Sequence, residues 1–288
     1  MSTEKFNIYE EITNRIITQL EEGVIPWHKP WNGLASGAYN RISKKPYSLL
    51  NQMLLKHDGE YATYKQWSEL GGKVRKGEKS EIVVFWKILN VEESKDGKVE
   101  KKSIPLLKYI NVFHISQVDG VESKDVEPIE HQPIEEAEEI KNKYANREHI
   151  LIEEVISDKA FYSPLRDFIQ VPCKEQYEDI LEFYSTLFHE MVHSTGHKDR
   201  LKRLDCTLKV ASFGSEDYSK EELIAEIGSA YLMNHIGIET SKTFKNSASY
   251  IQSWLGVLKN DNRFIVSASS KAEKAMKYIL GTEVNFTE

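Results

Sequence analysis

The spacing of apolar residues divides the chain into helical and extended stretches. Ile8, Ile12, Ile16 and Leu20 step by four along one face, which predicts a helix over about residues 6–22. Gly23 follows as a C-cap, and Pro26 prevents continuation. Shorter helical stretches cover 48–57 and 63–70, the second ending before Gly71-Gly72. Glu81 to Lys87 is rich in β-branched and aromatic residues, as a strand requires, and Leu106 to Ile115 has the same character. Trp86 reads as a core residue of the first of these strands. Residues 91–101 are polar around Asp96-Gly97 and read as a hairpin turn.

The second half begins with a helix over 134–146 and strands over 150–155 and 161–171. A long helix follows from Lys174 to Thr195 and stops at Gly196. Tyr177, Ile180, Leu181, Tyr184, Leu187, Phe188, Met191 and Val192 recur along it at helical spacing. Helices over 220–236, 248–259 and 269–280 complete the chain. The pattern predicts an α+β protein of two domains. Residues 121–145 hold eight acids against three lysines, together with Pro128 and Pro133 and few large apolar side chains. That composition marks a linker over 123–134, between a domain over 1–122 and a domain over 135–288.

Composition then narrows the function. A hydrophobic content of 40% over 288 residues is enough for real cores. No long apolar run suggests a membrane span, and the N-terminus lacks the basic and apolar regions of a signal peptide. With two cysteines, Cys173 and Cys206, a disulfide framework or a Cys-based zinc site is not expected. The chain reads as cytoplasmic, without a membrane partner.

The strongest chemical signal is His189-Glu190-Met191-Val192-His193, the zincin pattern H-E-x-x-H. On a helix the two histidines stand one turn apart on one face and can share a metal ion. Glu190 lies beside them, where it can act as general base toward a water at the metal. The expected ion is one Zn²⁺, with another divalent metal as the alternative, and the expected chemistry is hydrolysis of a peptide bond in an unidentified protein or peptide.

A catalytic zinc takes three protein ligands. Downstream, Glu222 and Glu226 are four residues apart and share a helix face with Ala225 and Ser229. Small neighbours allow close approach to another helix, and an unpaired charge among them would be costly. Glu222 is read as the third ligand and Glu226 as the carboxylate behind a ligand histidine. The reverse assignment is the first alternative. Asp199, six residues after His193, is the second. Tyr218 is a candidate oxyanion donor. His28, His57, His114, His131, His149 and His235 stand alone in sequence and read as structural or exposed.

The net charge of −7 argues against indiscriminate nucleic-acid affinity, but charge is uneven along the chain. Between Arg41 and Lys87 there are ten Lys/Arg and five acids, a local net of +5. Trp27, Trp31, Trp67 and Trp86 are interleaved with this region. Aromatics that stack on bases beside cations that track phosphates suit single-stranded nucleic acid. Trp27 and Trp31, in a Pro-rich loop, are the candidate stacking pair. Lys73, Arg75, Lys76 and Lys79, in the run G-G-K-V-R-K-G-E-K, are the candidate phosphate contacts, with the glycines allowing close backbone approach.

Taken together, these segments resemble ArdC-type antirestriction proteins of plasmids, phages and other mobile elements. The resemblance covers I-Y-E-E-I-T-N-R-I-I-T-Q-L-E-E-G-V-I-P-W-H-K-P-W and Y-A-T-Y-K-Q-W-S-E-L-G-G-K-V-R-K-G-E-K in the first half. In the second it covers F-Y-S-P-L-R-D-F-I-Q-V-P, H-E-M-V-H-S-T-G-H and Y-S-K-E-E-L-I-A-E-I-G-S-A-Y-L. It implies an N-terminal single-stranded-DNA-binding domain and a C-terminal zincin-like metallopeptidase domain. It also implies metal ligation by His189, His193 and one of Glu222 and Glu226, and protection of incoming DNA from host restriction. Ser194 departs from the pattern, where an aromatic residue is frequent, and is expected to reshape the cleft rim. Two other readings remain: a DNA-binding protector whose metal centre is structural or vestigial, and a metallopeptidase whose first domain binds protein.

Overall fold

The computed structural model describes residues 6–28, 37–95, 98–123, 132–204, 216–238 and 247–282. The first helix, α1 (Ile8–Glu21), is capped by Asn7, whose side chain accepts from the Tyr9 N–H. It buries Ile12, Ile16 and Leu20, the face that the four-residue step marks. A 3-10 turn over Pro26–His28 follows. The strand β1 (Ala38–Asn40), the helix α2 (Leu49–Leu54) and the strand β2 (Gly59–Ala62) lead to α3 (Tyr64–Glu69). Thr63 and Gln66 close a capping box at the start of α3.

A short strand β3 (Lys73–Val74) precedes the long hairpin of β4 (Glu81–Lys95) and β5 (Lys98–His114). Sheet order is β1-β2-β5-β4, with β1 and β2 parallel and the other pairs antiparallel. β3 pairs separately with β6 (Val118–Asp119). The polar stretch read as a turn over 91–101 is mostly strand, paired in register as far as Lys95 with Lys98. Asp96 and Gly97 themselves lie outside the described residues. Cross-strand pairing holds this ribbon, so its polarity does not mark a loss of extended structure. Trp86 is 41% exposed on the ribbon and is not a core residue.

The second half opens with α4 (Pro133–Glu148) and β7 (Leu151–Val155). The segment read as one strand over 161–171 is two, β8 (Phe161–Ser163) and β9 (Phe168–Pro172). Between them Pro164 enters a turn in which Asp167 takes a positive φ of 51° and accepts from the Tyr162 hydroxyl. β9 is the central strand of the sheet β7-β9-β8, and β8 forms an edge. The helix α5 (Ile180–Ser194) starts at an Asp179 cap, later than the apolar pattern alone predicts. Residues 174–176 form a separate 3-10 turn before it. Three more helices follow: α6 (Glu216–His235), α7 (Ser247–Asn260) and α8 (Phe264–Leu280). Among the described residues, no helix is long and apolar enough to cross a membrane.

Apolar packing is continuous across the linker. Ile12, Ile16, Trp27, Leu50 and Met53 of the first half join one core with Leu223, Ile227, Trp254, Ile265 and Ala272 of the second. Polar contacts tie the same surfaces. The Tyr231 hydroxyl donates to Leu49 O at 2.8 Å, and the Thr13 hydroxyl to Asn262 O at 2.7 Å. The helix α6 lies at the centre and is buried from Leu223 to Met233, packed by α5, α7, α8 and the Pro26–His28 turn.

Candidate metal centre

The centre forms where α5 crosses α6 at close range. A side chain on Gly228 would meet Val192 Cγ2 at 2.9 Å, so only glycine admits this approach. One residue on, the Ser229 hydroxyl donates to Ser185 O at 2.9 Å and ties the two backbones together. Gly196 ends the metal helix for a similar reason: a Cβ there would lie 2.8 Å from Leu204 Cγ and 3.0 Å from His193 O. The tight return that follows carries Arg200 and Arg203. Arg200 clamps Asp167 and the Ser194 carbonyl, and Arg203 donates to Val192 O and the Thr195 hydroxyl. These arginines satisfy carbonyls that the helix end leaves open.

On this scaffold His189 Nε2 lies 3.1 Å from His193 Nε2. The Glu222 carboxylate faces both, with Oε2 3.3 Å from His189 Nε2 and Oε1 3.4 Å from His193 Nε2. A tetrahedral ion with bonds of about 2.0–2.1 Å spaces its ligand atoms about 3.3 Å apart. The three groups therefore have the mutual separations and the nitrogen–oxygen donor set of a divalent-metal site. They form the one such cluster of His, Cys, Asp or Glu among the described residues.

Two carboxylates stand behind the histidines. Glu226 Oε2 is 3.4 Å from His189 Nδ1, and Glu221 Oε1 is 3.5 Å from His193 Nδ1. Glu221 is itself gripped by Arg203 at 2.9 Å and 3.3 Å. A partner on Nδ1 fixes the ring and directs the Nε2 lone pair toward the shared point. Glu226 is a candidate from the sequence, whereas Glu221, which lies against His193, is not. The signal was present: Glu221 and Glu222 are adjacent, His189 and His193 are one turn apart, and each ring needs a carboxylate behind it.

Asp199 takes no part in the cluster. Its side chain is 75% exposed and lies 3.5 Å from His197 Nδ1. Glu190 is buried beside His189 and makes no side-chain hydrogen bond among the described residues. Tyr218 is half-buried in the first turn of α6, one turn before Glu222. Ser194 is fully buried under α4, with its hydroxyl donating to Met191 O and lying 2.7 Å from the Tyr144 hydroxyl. It is a packing residue and not part of a cleft rim.

The electrostatics favour protons on the metal-free site. Burial disfavours charge on His189, but the Glu222 and Glu226 carboxylates outweigh it and hold the ring well above its ordinary pKa. His193 is likewise opposed by burial, yet Glu221 and Glu222 raise it to about 9. Burial is outweighed in the same way at Glu221, Glu222 and Glu226, whose carboxyls stay below the usual range beside these rings. The raised His193 stabilises the metal-free fold below about pH 6.5, and its contribution is lost as pH rises through about 9; His189 acts in the same direction. A metal needs the unprotonated rings, so binding releases protons. Between pH 6 and 9 the apparent affinity should climb about tenfold per pH unit for each proton displaced. Titrating the metal at several pH values in non-coordinating buffer checks this; an affinity independent of pH would contradict it.

The candidate DNA residues fall into separate environments. Trp27 is fully buried, edge-on to Trp254 with ring centroids 5.1 Å apart, and so has no face on which a base can stack. The described part of that Pro-rich segment, Pro26–His28, instead turns inward, with Trp27 against Trp254 of α7. Trp31 lies outside the described residues. Lys73, Lys76 and Lys79 are exposed and make no ion pair among the described residues. Arg75 is exposed but is matched by Glu78 at 2.9 Å and Asp119 at 3.4 Å. An open cleft of about 400 Å³ lies beside them, lined by Lys56, Arg75 and Lys79 along with Glu78 and Glu81. Gly72 serves packing rather than phosphate approach, since a Cβ there would strike Val118 and Val121 at 2.7 Å. Arg41 is buried against Glu60, which removes one cation from the basic surface.

Comparison with known proteins gives a match in each half of the chain. Residues 6–113 match the N-terminal domain of anti-restriction factor ArdC, and residues 138–271 match a zincin-like metallopeptidase domain. The uncharacterized protein y4eC of Sinorhizobium fredii (strain NBRC 101917 / NGR234) is 32% identical, over 93% of this chain and 90% of its own length. A protein named DNA primase TraC from Escherichia coli is 32% identical over 98% of this chain. This chain spans only 28% of the length of that protein. Two crystal structures of the antirestriction protein ArdC from the R388 plasmid, metal-free and Mn(II)-bound, superpose with TM-scores of 0.75 and 0.77. Each is 32% identical and is matched over its full length by 98% of this chain. Both halves and the metal-binding geometry therefore lead to one assignment: the chain belongs to the ArdC antirestriction family, with an ArdC N-terminal domain joined to a zincin-like domain.

Proposed function

We propose that this protein shields incoming DNA of a mobile element from restriction, in the cytoplasm. Its N-terminal domain, residues 1–122, holds single-stranded DNA without sequence preference, and its C-terminal domain, 135–288, hydrolyses a peptide bond in a protein substrate at a Zn²⁺ centre. The observation that carries the reading is the convergence of His189, His193 and Glu222 beside the buried Glu190. His189, His193 and Glu222 hold the ion. Two imidazoles and a carboxylate suit Zn²⁺, and the Mn(II)-bound ArdC structure makes Mn²⁺ the alternative. When bound, the ion supplies Lewis-acid polarisation of the scissile carbonyl and of the attacking water.

The remaining work falls to side chains. Glu190 takes the proton from the attacking water and delivers it to the leaving amine nitrogen. Its carboxylate has no competing hydrogen bond among the described residues, which leaves both oxygens for that transfer. Glu221 and Glu226 hold the two rings in the tautomer that the ligand role requires. β8 packs near α5, and its outer edge offers backbone groups to an extended peptide.

For DNA, the exposed Lys73, Lys76 and Lys79 supply phosphate contacts. The test is salt-dependent binding of a fluorescent single-stranded oligonucleotide to the full chain, with duplex DNA as competitor. Binding should be tight at low salt. Each Lys→Ala change at these positions should weaken it for all sequences and lower the salt slope by about one. A folded protein that fails to bind at low salt removes the DNA arm. That outcome would favour a second reading, in which the first domain grips protein. The exposed Trp86, Ile88, Tyr109 and Ile110 on the β4–β5 ribbon support that second reading.

A further inference from the structure

His28 belongs to the N-terminal domain, yet its ring reaches the carboxylate layer behind the metal ligands. Its Nε2 lies 3.0 Å from Glu226 Oε1, and both side chains are buried. An ionised carboxylate only accepts hydrogen bonds, so His28 Nε2 donates. The other oxygen of Glu226 is the one beside His189 Nδ1. Glu226 is therefore held from two sides, by one histidine from each half of the chain.

The terminal torsion of a glutamate is broad, so a carboxylate pinned at one oxygen still swings. Pinning Oε1 fixes where Oε2 sits, and with it the ring plane and tautomer of His189. His189 Nε2 is then aimed at the point it shares with His193 and Glu222. The anchor is itself held in place by two contacts. The His28 N–H donates to Ile25 O at 3.0 Å, and the preceding Trp27 is locked against Trp254. From this arrangement we propose that His28 is a positioning residue of the metal centre, acting through Glu226 on His189. The metal site of the C-terminal domain is then completed by the N-terminal one.

The proposal rests on His189, His193 and Glu222 being metal ligands, and its test separates the two ideas. Zn²⁺ affinity is measured by competition with a chromophoric chelator on the full chain and on its His28→Ala, His28→Phe and His28→Gln variants, with circular dichroism as the folding control. Loss of an outer-shell partner weakens metal binding roughly ten- to hundredfold. The Ala and Phe variants should show that loss, and the Gln variant, which keeps a donor, should recover most of it. Should His28→Ala fail to fold, the comparison of Phe with Gln decides. Equal affinities for parent, Phe and Gln proteins would mean that His28 only packs, and would overturn the proposal while leaving the ligands intact. A parent protein that binds no Zn²⁺ would overturn both.

Discussion

A Glu190→Gln variant is expected to bind Zn²⁺ as tightly as the parent and to lose peptide hydrolysis by roughly 10²–10⁴-fold, the usual contribution of a positioned general base. Glutamine has nearly the same shape, so the packing around the buried Glu190 side chain is not disturbed. It cannot accept the proton. The ligand cluster of His189, His193 and Glu222 does not include Glu190, so affinity for the ion should not change. Three measurements on one preparation check this: metal content, thermal stability and cleavage of a peptide library. Antirestriction in cells adds a fourth. Protection lost together with cleavage makes hydrolysis part of the function; protection retained makes the metal centre structural for that purpose. A variant that cleaves as fast as the parent would remove Glu190 from the mechanism.

Glu222→Gln should have the largest effect on the metal itself. Glu222 offers an oxygen to each side of the histidine pair, at 3.3 Å and 3.4 Å, and among the described residues it is the carboxylate that clusters with both Nε2 atoms. Without its charge the site keeps two imidazoles and only a neutral amide oxygen in place of the third, anionic ligand. The loss of affinity should exceed the roughly hundredfold that marks outer-shell changes. Glu226→Gln is the matched comparison and should fall within that outer-shell range. Calorimetric titration of Zn²⁺ into both variants ranks them. If Glu226→Gln loses more, the two glutamates exchange roles, and the contact through His28 becomes a contact to a ligand.

The sequence revealed the local chemistry more fully than the long-range contacts. His189, Glu190 and His193 are visible because one helical turn relates them, and helical turns leave a period in the sequence. Glu222 and Glu226 are visible for the same reason, with small residues around them to allow approach. The contact of His28 with Glu226 leaves no period, because it joins residues 198 positions apart. Trp27 misled for a related reason. A tryptophan between prolines reads as an exposed loop until α7 is known to pack on it. Strand ends were missed in two ways. Ribbon polarity hid the far half of β4 and β5, and Asp167 in its left-handed turn split one apolar run into β8 and β9. Ser194 reads as a rim residue only while α4 is absent from the picture.

The junction of the two halves also carries its own optical signal. Trp27 and Trp254 come from opposite ends of the chain and meet edge to face at 5.1 Å, both sealed from solvent. Sealed tryptophans emit at short wavelength, and separating the halves would wet both rings at once. Intrinsic fluorescence of a variant that keeps only Trp27 and Trp254 would therefore report whether the N-terminal domain is seated on the zincin-like domain. A ligand that bound only the seated form would stabilise it by mass action, and the same emission would follow that shift.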